Sequence, residues 1–182
     1  MCSNVLMKSQ LRKLALQKRK ELDVDTLSKK IMNNLFSLEE YIKAQNVLTY
    51  FPLKYEVQTQ SCFSDNSKTW YLPRVNGSDL EICKYDSTKL LKGNFNIQEP
   101  TNQQILNFDF LDMVIIPCVA ADKNGYRIGY GKGYYDRFLP NLPSDCKKVV
   151  LVYSELLFDN VFPDVFDVSV DVLITDKEIF RF

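Results

Sequence analysis

Between Asn124 and Phe138 the chain reads NGYRIGYGKGYYDRF, fifteen residues that hold four of its six glycines and four of its ten tyrosines. Glycine admits positive φ and close backbone approach, so Gly129, Gly131 and Gly133 at alternate positions can turn several amides toward one anion. A helix opening near Gly133 would add partial positive charge at the same place. The natural guest is a phosphate, with Arg127, Lys132 and Arg137 as counter-charges, the arginines as planar forks and the lysine as a mobile point charge. Two known phosphate loops do not fit. Tyr126 stands where a Walker A loop needs its first glycine, and Tyr134 where a dinucleotide fingerprint needs its third. A tight strand-to-helix turn is the competing account of the glycines, and ordinary packing that of Tyr126, Tyr130, Tyr134 and Tyr135.

The 182 residues contain no histidine. That removes Ser-His-Asp and Cys-His catalysis, histidine metal ligation and the usual neutral-pH base, and leaves carboxylates, Lys, Arg, Tyr, backbone amides and bound ligands. Five cysteines, none in a C-x-x-C pair, fit reduced thiols. No apolar run is long enough to span a bilayer, and the first thirty residues lack a signal-peptide core, so a cytoplasmic protein without membrane partners is expected. Net charge is zero but unevenly spread. Residues 1–30 carry eight Lys or Arg against three acids, and residues 151–182 seven acids against Lys177 and Arg181. The basic start suits an anion such as a nucleotide, or a solvated helix face; nothing in the chain reads as a nucleic-acid binder.

These side chains need a frame. Leu11, Leu14 and their apolar neighbours recur at helical spacing in the opening segment, with Asn4 as its cap. DTLSKKIMNNLF continues the pattern, and SLEEYIKA starts with a Ser37-to-Glu40 capping box. The period then shortens: NVLTYF, KTWYLPRV, LEICKY, MVIIPCVA, KKVVLVYS and VDVLIT read as strands, several apolar throughout as strands covered on both faces are. VQTQSCFSDN and GKGYYDRFLP between them read as helical. No repeat or linker divides the chain, so residues 1–182 are expected to form one α/β domain, a mostly parallel central sheet flanked by helices, with ligands where strands run out into loops.

GYRIGYGKGYYDRFL resembles the signature of the 5-formyltetrahydrofolate cyclo-ligases, also called 5,10-methenyltetrahydrofolate synthetases. KSQLRK, EVQT, LPRV, GNFNIQEP, DMVIIPCVAAD and DVSVDVLIT follow in that family's order, from Lys8 to Thr175. The resemblance implies a three-layer α/β/α sandwich like that of the sugar-phosphate isomerases and CoA-transferases. It also implies an ATP- and Mg²⁺-dependent closure of 5-formyltetrahydrofolate to 5,10-methenyltetrahydrofolate, by phosphorylation of the formyl oxygen and attack by N10. Phosphoryl transfer is mostly positioning and charge stabilisation, which suits a chain without histidine.

Carried over by resemblance, Lys8, Arg12, Arg127, Gly129, Tyr130, Gly131, Lys132, Gly133, Tyr134 and Tyr135 form the ATP site. Lys132, Arg127 and Tyr134 are its catalytic members. Phe51, Glu56 and residues Tyr130 to Tyr134 border the folate. Glu56 is chemically apt, because a carboxylate accepts paired N–H donors of an aminopyrimidine. Asp136 and Asp171 match the family's magnesium positions, and oxygen ligands beside phosphate are what Mg²⁺ prefers. Both substrates are small molecules, and a monomer is expected. The chain departs from the family at Asn96, Ala121, Leu156 and Phe166, which bears on the folate pocket and not on the phosphate or metal positions. A binding protein without turnover would be marked by loss of Lys8, Arg12, Glu56 or Asp136, and all four are present. An isomerase or transferase on a similar sandwich would have no use for GKGYYDR.

Overall fold

The computed structural model describes residues 2–92, 98–101, 103, 105 and 107–182. Three helices precede the first strand. Helix α1 (Cys2–Lys18) is built from Leu, Lys, Gln and Arg, all good helix formers, and tightens into a 3₁₀ turn at Arg19–Glu21. Helix α2 (Val24–Phe36) is capped by Asp23, whose carboxylate accepts the Thr26 N–H, and it buries Ile31, Met32 and Leu35. Helix α3 (Glu39–Lys43) follows after Ser37.

The central sheet has seven strands: β1 (Asn46–Leu48), β2 (Thr69–Asn76), β3 (Asp79–Lys84), β6 (Met113–Ile116), β9 (Lys147–Leu151), β11 (Val172–Ile174) and β12 (Ile179–Arg181). Their order is β12-β11-β9-β6-β1-β2-β3. The five inner strands are parallel and the two edges antiparallel. Every residue of β6 and β11 is buried, which explains their unbroken apolar runs. Two smaller sheets complete the fold. One pairs β4 (Leu90–Lys92) with β5 (Gln98–Pro100). The other joins β7 (Ala120–Asp122), β8 (Arg127–Ile128) and β10 (Leu157–Phe158).

The sequence reading of an α/β domain around a mostly parallel sheet therefore holds, and all six expected strand segments contain strands of the central sheet. Local details differ. Asn4 lies inside α1 and caps nothing. Ser37 closes α2 instead of opening α3: its N–H bonds Asn33 O and its hydroxyl Asn34 O, so the capping box does not form. VQTQSCFSDN yields only a 3₁₀ turn at Gln60–Ser64. Its polar groups are drawn away from a helical ladder, Gln58 N–H to the Ser28 hydroxyl and the Thr59 hydroxyl to Tyr50 O. GKGYYDRFLP is α-helical over α4 (Tyr134–Phe138) and tightens into a 3₁₀ turn at Leu139–Asn141, where Pro140 has no N–H to continue the α-helix. The small strands are two or three residues long, too short to leave a periodic signal.

Chain order locates the working end of the sheet. From β1 the chain passes to β2 on one side, while β6, β9 and β11 build outward on the other, so the order reverses between β1 and β6. A crevice opens beyond the carboxyl ends of strands at such a switch point. Residues 49–59 leave β1 there and residues 117–119 leave β6. Ile115, fully buried at the centre of β6, measures how much this frame depends on packing. Ile115→Ala is expected to lower unfolding stability by about 2–5 kcal/mol in denaturant titrations. Leu6→Ala, on the exposed side of α1, should stay within about 0.5 kcal/mol.

Candidate active site

The hairpin β7–β8 delivers the glycine loop, and a buried carboxylate sets its turn. Asp122, with no exposed surface, accepts the N–H groups of Asn124 (2.9 Å) and Tyr126 (3.1 Å) on one oxygen and of Val161 (3.1 Å) on the other. Beyond β8, Gly131 and Gly133 adopt φ of 85° and 69°, where a side chain would be strained. A side chain would also press on a guanidinium: a Cβ on Gly131 would meet Arg12 Cζ at 3.3 Å, and one on Gly133 would lie 2.8 Å from Arg137 Nη1, so either arginine would have to shift. Helix α4 is one short turn, so it adds little of the dipole expected at Gly133.

One face of α1 lies against this loop. Lys8, Arg12, Ala15 and Arg19 recur at i, i+4, i+7 and i+11, a single helical stripe. Lys8 Nζ is paired with Asp164 (3.1 Å) and Asp167. Arg12 Nε donates to Gly129 O at 2.8 Å. Ala15 is fully buried and lets the helix come close. Arg19, 5% exposed, donates from Nη1 to Cys118 O (3.3 Å) and from Nη2 to the Tyr130 hydroxyl oxygen (2.7 Å). Tyr130 Oη in turn donates to Glu56 Oε1 at 2.7 Å, while Glu56 Oε2 accepts the Leu53 N–H at 2.7 Å. The Tyr130 residue remains 41% exposed although its hydroxyl is tucked inside. Two buried polar atoms here have no partner among the described residues, Arg19 Nε and the Tyr135 hydroxyl.

Electrostatics follow from this burial. Glu56 is 4% exposed, and desolvation pushes its pKa up, opposed by the Leu53 N–H, the Tyr130 hydroxyl and the Arg19 charge. Burial also works against the charge of Arg19, but Tyr130 and Glu56 outweigh it and its pKa is raised. Desolvation first, then the Glu56 charge, pushes the Tyr130 hydroxyl up, so it stays protonated and able to donate.

The other expected site residues fall as follows. Arg127 is buried, with Nη1 on Val168 O (3.1 Å) and Nη2 on Asp136 Oδ1 (2.7 Å), so it braces the loop from within. Lys132 extends an exposed side chain, and its carbonyl accepts Arg137 Nη2 at 3.2 Å. Arg137 also lies over the Tyr134 ring, 5.6 Å from its centroid. Phe51 stacks on Phe63, which stacks on Tyr85, in an aromatic row leading into the core. Asp171 opens β11 and holds the start of β9, its Oδ2 accepting both Lys148 N (2.7 Å) and Lys148 Nζ (2.9 Å). That sets it at the strand-start edge, about 10 Å along β9 from the strand's other end, the end nearer Glu56. The segment before it still touches the loop hairpin through Val170 N to Gly125 O.

Asp136 offers a magnesium ion one free oxygen, its other oxygen being paired with Arg127. Its Oδ2 makes no hydrogen bond among the described residues, its side chain is one-third exposed, and a carboxylate is a hard oxygen donor. Asp171 has one oxygen without a hydrogen bond among the described residues. No cluster of three or more Asp, Glu or Cys able to hold an ion occurs among the described residues.

Of the departures, Ala121 is buried in β7, Leu156 is a core residue, and Phe166 is 80% exposed and so does not fill the interior. Asn96 lies outside the described residues. Sole Trp70 packs in the core between Tyr41 and Phe63, and Arg74 pairs with Glu81. Arg19, Asp122, Asp164 and Asp167 were not singled out by sequence. For Arg19 the signal exists: it continues the stripe of Lys8 and Arg12, one turn beyond Ala15.

The model of the 5-formyltetrahydrofolate cyclo-ligase family matches residues 5–176. The chain is 34% identical to 5-formyltetrahydrofolate cyclo-ligase of Mycoplasma pneumoniae, over 93% of this chain and 99% of that protein. It is 30% identical to the enzyme of the same name from Mycoplasma genitalium, over 92% and 96%. Its fold superposes on the solved structure of Aquifex aeolicus 5,10-methenyltetrahydrofolate synthetase with a TM-score of 0.85 and 37% identity, covering 96% of this chain and 92% of that one.

The raised pKa of Glu56 has a stability consequence. In the native state its ionised form is disfavoured, so stability falls as pH rises from the unfolded value, about 4.3, through the folded one. Glu56→Gln removes that loss. The variant-minus-wild-type difference in unfolding free energy is expected to rise with pH and then level off, at about 1.4 kcal/mol per unit of upward shift. A difference independent of pH would show that burial does not disfavour this carboxylate.

Proposed function

The chain belongs to the 5-formyltetrahydrofolate cyclo-ligase family, and from that premise we propose that it closes 5-formyltetrahydrofolate to 5,10-methenyltetrahydrofolate with ATP as co-substrate. The γ-phosphoryl group passes to the formyl oxygen, N10 attacks the activated formyl carbon, and phosphate leaves. The observation that carries this reading is the basic stripe of α1 laid across a glycine loop whose own tyrosine reaches the buried Glu56. Anion-binding and ring-binding groups thereby share one wall, as a reaction joining a nucleotide to a pterin requires.

In this reading Lys8 and Arg12 face the phosphates, with Gly129, Gly131 and Gly133 giving backbone room beneath them. Tyr135 lies behind that loop, and Arg127 holds it in shape. Lys132, exposed and unencumbered, follows the transferred group as a mobile charge. Tyr130 and Tyr134 separate nucleotide from folate. Glu56 accepts the aminopyrimidine donors, and Phe51 offers an aromatic face beside it. For Mg²⁺ we assign Asp136 alone, because Asp171, the second position the resemblance implies, is engaged by Lys148 at the strand-start edge. The ion, when bound, neutralises charge on phosphate oxygens.

Purified protein supplied with ATP, Mg²⁺ and 5-formyltetrahydrofolate is expected to produce the near-ultraviolet absorbance of the methenyl product together with stoichiometric ADP. Folded protein giving neither would overturn the proposal. Lys132→Ala should lower kcat/KM for ATP by about 10-fold or more, the scale of a charge-assisted phosphate contact, with the fold unchanged. Asp136→Asn should raise the Mg²⁺ concentration needed for half-maximal rate.

A further inference from the structure

Among the described residues, Arg19 is the one buried cation joined to the carboxylate assigned to the folate ring. It comes from a different segment than either residue it serves: the 3₁₀ turn ending α1, against the glycine loop and the segment after β1. The bonds have a fixed sense. A guanidinium can only donate, so the Tyr130 oxygen is taken as acceptor from Nη2, and its single proton is left pointing at Glu56 Oε1. The second guanidinium bond, to Cys118 O beyond β6, fixes Arg19 to the opposite side of the switch point. We infer that Arg19 is a positioning residue which, through the hydroxyl of Tyr130, orients Glu56 and holds it as an anion ready for the pterin donors. This rests on the assignment of Glu56 to the folate ring made above.

The surroundings leave that task to Arg19. The groups facing Glu56 from the packed elements are Tyr50 beyond β1, Cys118 beyond β6, Tyr153 beyond β9, Tyr135 on α4 and Tyr130 on the loop. All are neutral at physiological pH, since burial pushes the Cys118 thiol and the Tyr153 hydroxyl up to about 12 and the others upward too. A carboxylate at 4% exposure among neutral hydroxyls and a thiol would take up a proton readily. As an acid it would donate one hydrogen bond where the aminopyrimidine also donates, and recognition would fail. The positive charge one hydroxyl away opposes this.

The test measures dissociation constants for 5-formyltetrahydrofolate and, separately, for ATP, across pH 5 to 9. In wild type the folate affinity should fall as pH drops through the Glu56 titration. Arg19→Met should weaken folate binding by about 10-fold or more at neutral pH, shift the midpoint of that profile upward, and leave ATP affinity within about twofold. Arg19→Lys, which keeps the charge and loses the fork, should keep the midpoint near wild type. Tyr130→Phe breaks the same link without touching Arg19. It should shift the midpoint in the same direction, and it carries the test if Arg19→Met does not fold. A wild-type midpoint and affinity in Arg19→Met, or in Tyr130→Phe if only that variant folds, would overturn the inference while leaving the proposed reaction intact. Glu56→Gln separates the two ideas: it should abolish the pH dependence and weaken folate binding, and wild-type binding there would remove Glu56 from the folate site altogether.

Discussion

A carboxylate taken out of water either gains compensating donors and charge or becomes a neutral acid, and Glu56 sits under that constraint at the point where the sheet order reverses. Its two oxygens are met by the Leu53 N–H within its own loop and by Tyr130 from the glycine loop, with Arg19 behind. Three segments far apart in sequence are thus held to one another by one charge. The position of α1 on the sheet is a requirement of that arrangement, since its last turn must bring a guanidinium to Cys118 O and Tyr130 together. Ala15 permits the approach, and a larger side chain at that fully buried position would hold the helix away.

A second buried carboxylate does the corresponding work one hairpin away. Asp122 binds three backbone N–H groups, two in the β7–β8 turn and one at Val161, and so joins the turn ahead of the glycine loop to the segment after β10. Arg127 continues outward, tying Val168 O and Asp136 to β8. The two loop residues at positive φ are glycines, which adopt it without strain, so this support sets the course of the loop and holds no backbone strain.

The central strands could be read from sequence because burial on both faces forces continuous apolar runs, as in MVII and VVL, and nothing else in the chain looks like them. The glycine loop could be read because positive φ leaves few alternatives to glycine at 131 and 133. What stayed hidden depended on partners distant in sequence. Arg19 among Lys18 and Lys20 looks like one more solvated charge; its place on the stripe of Lys8 and Arg12 hints at its face, but its partners Cys118 and Tyr130 come only with the docking of α1. Ser37 has the spacing of a capping box, but the end of α2 claims it first. Asp171 as a strand-start clamp is invisible until β9 and β11 are known to be neighbours.

The two halves of the assigned site differ in how they are held, and the chemistry gives a reason. On the folate side Glu56, Arg19 and the Tyr130 hydroxyl are buried and mutually fixed, the preorganisation that a planar ring with a defined donor pattern rewards. On the phosphate side Lys132 is exposed, and Lys8 is engaged by the carboxylates of Asp164 and Asp167. A transferring phosphoryl group changes position and charge during the reaction, so cations that can follow it serve better than cations locked in place. Lys8 reaches phosphate in this scheme only by exchanging one set of anionic oxygens for another. That exchange leaves Asp164 and Asp167 without their lysine beside an incoming anion, a cost that the phosphate contact must outweigh.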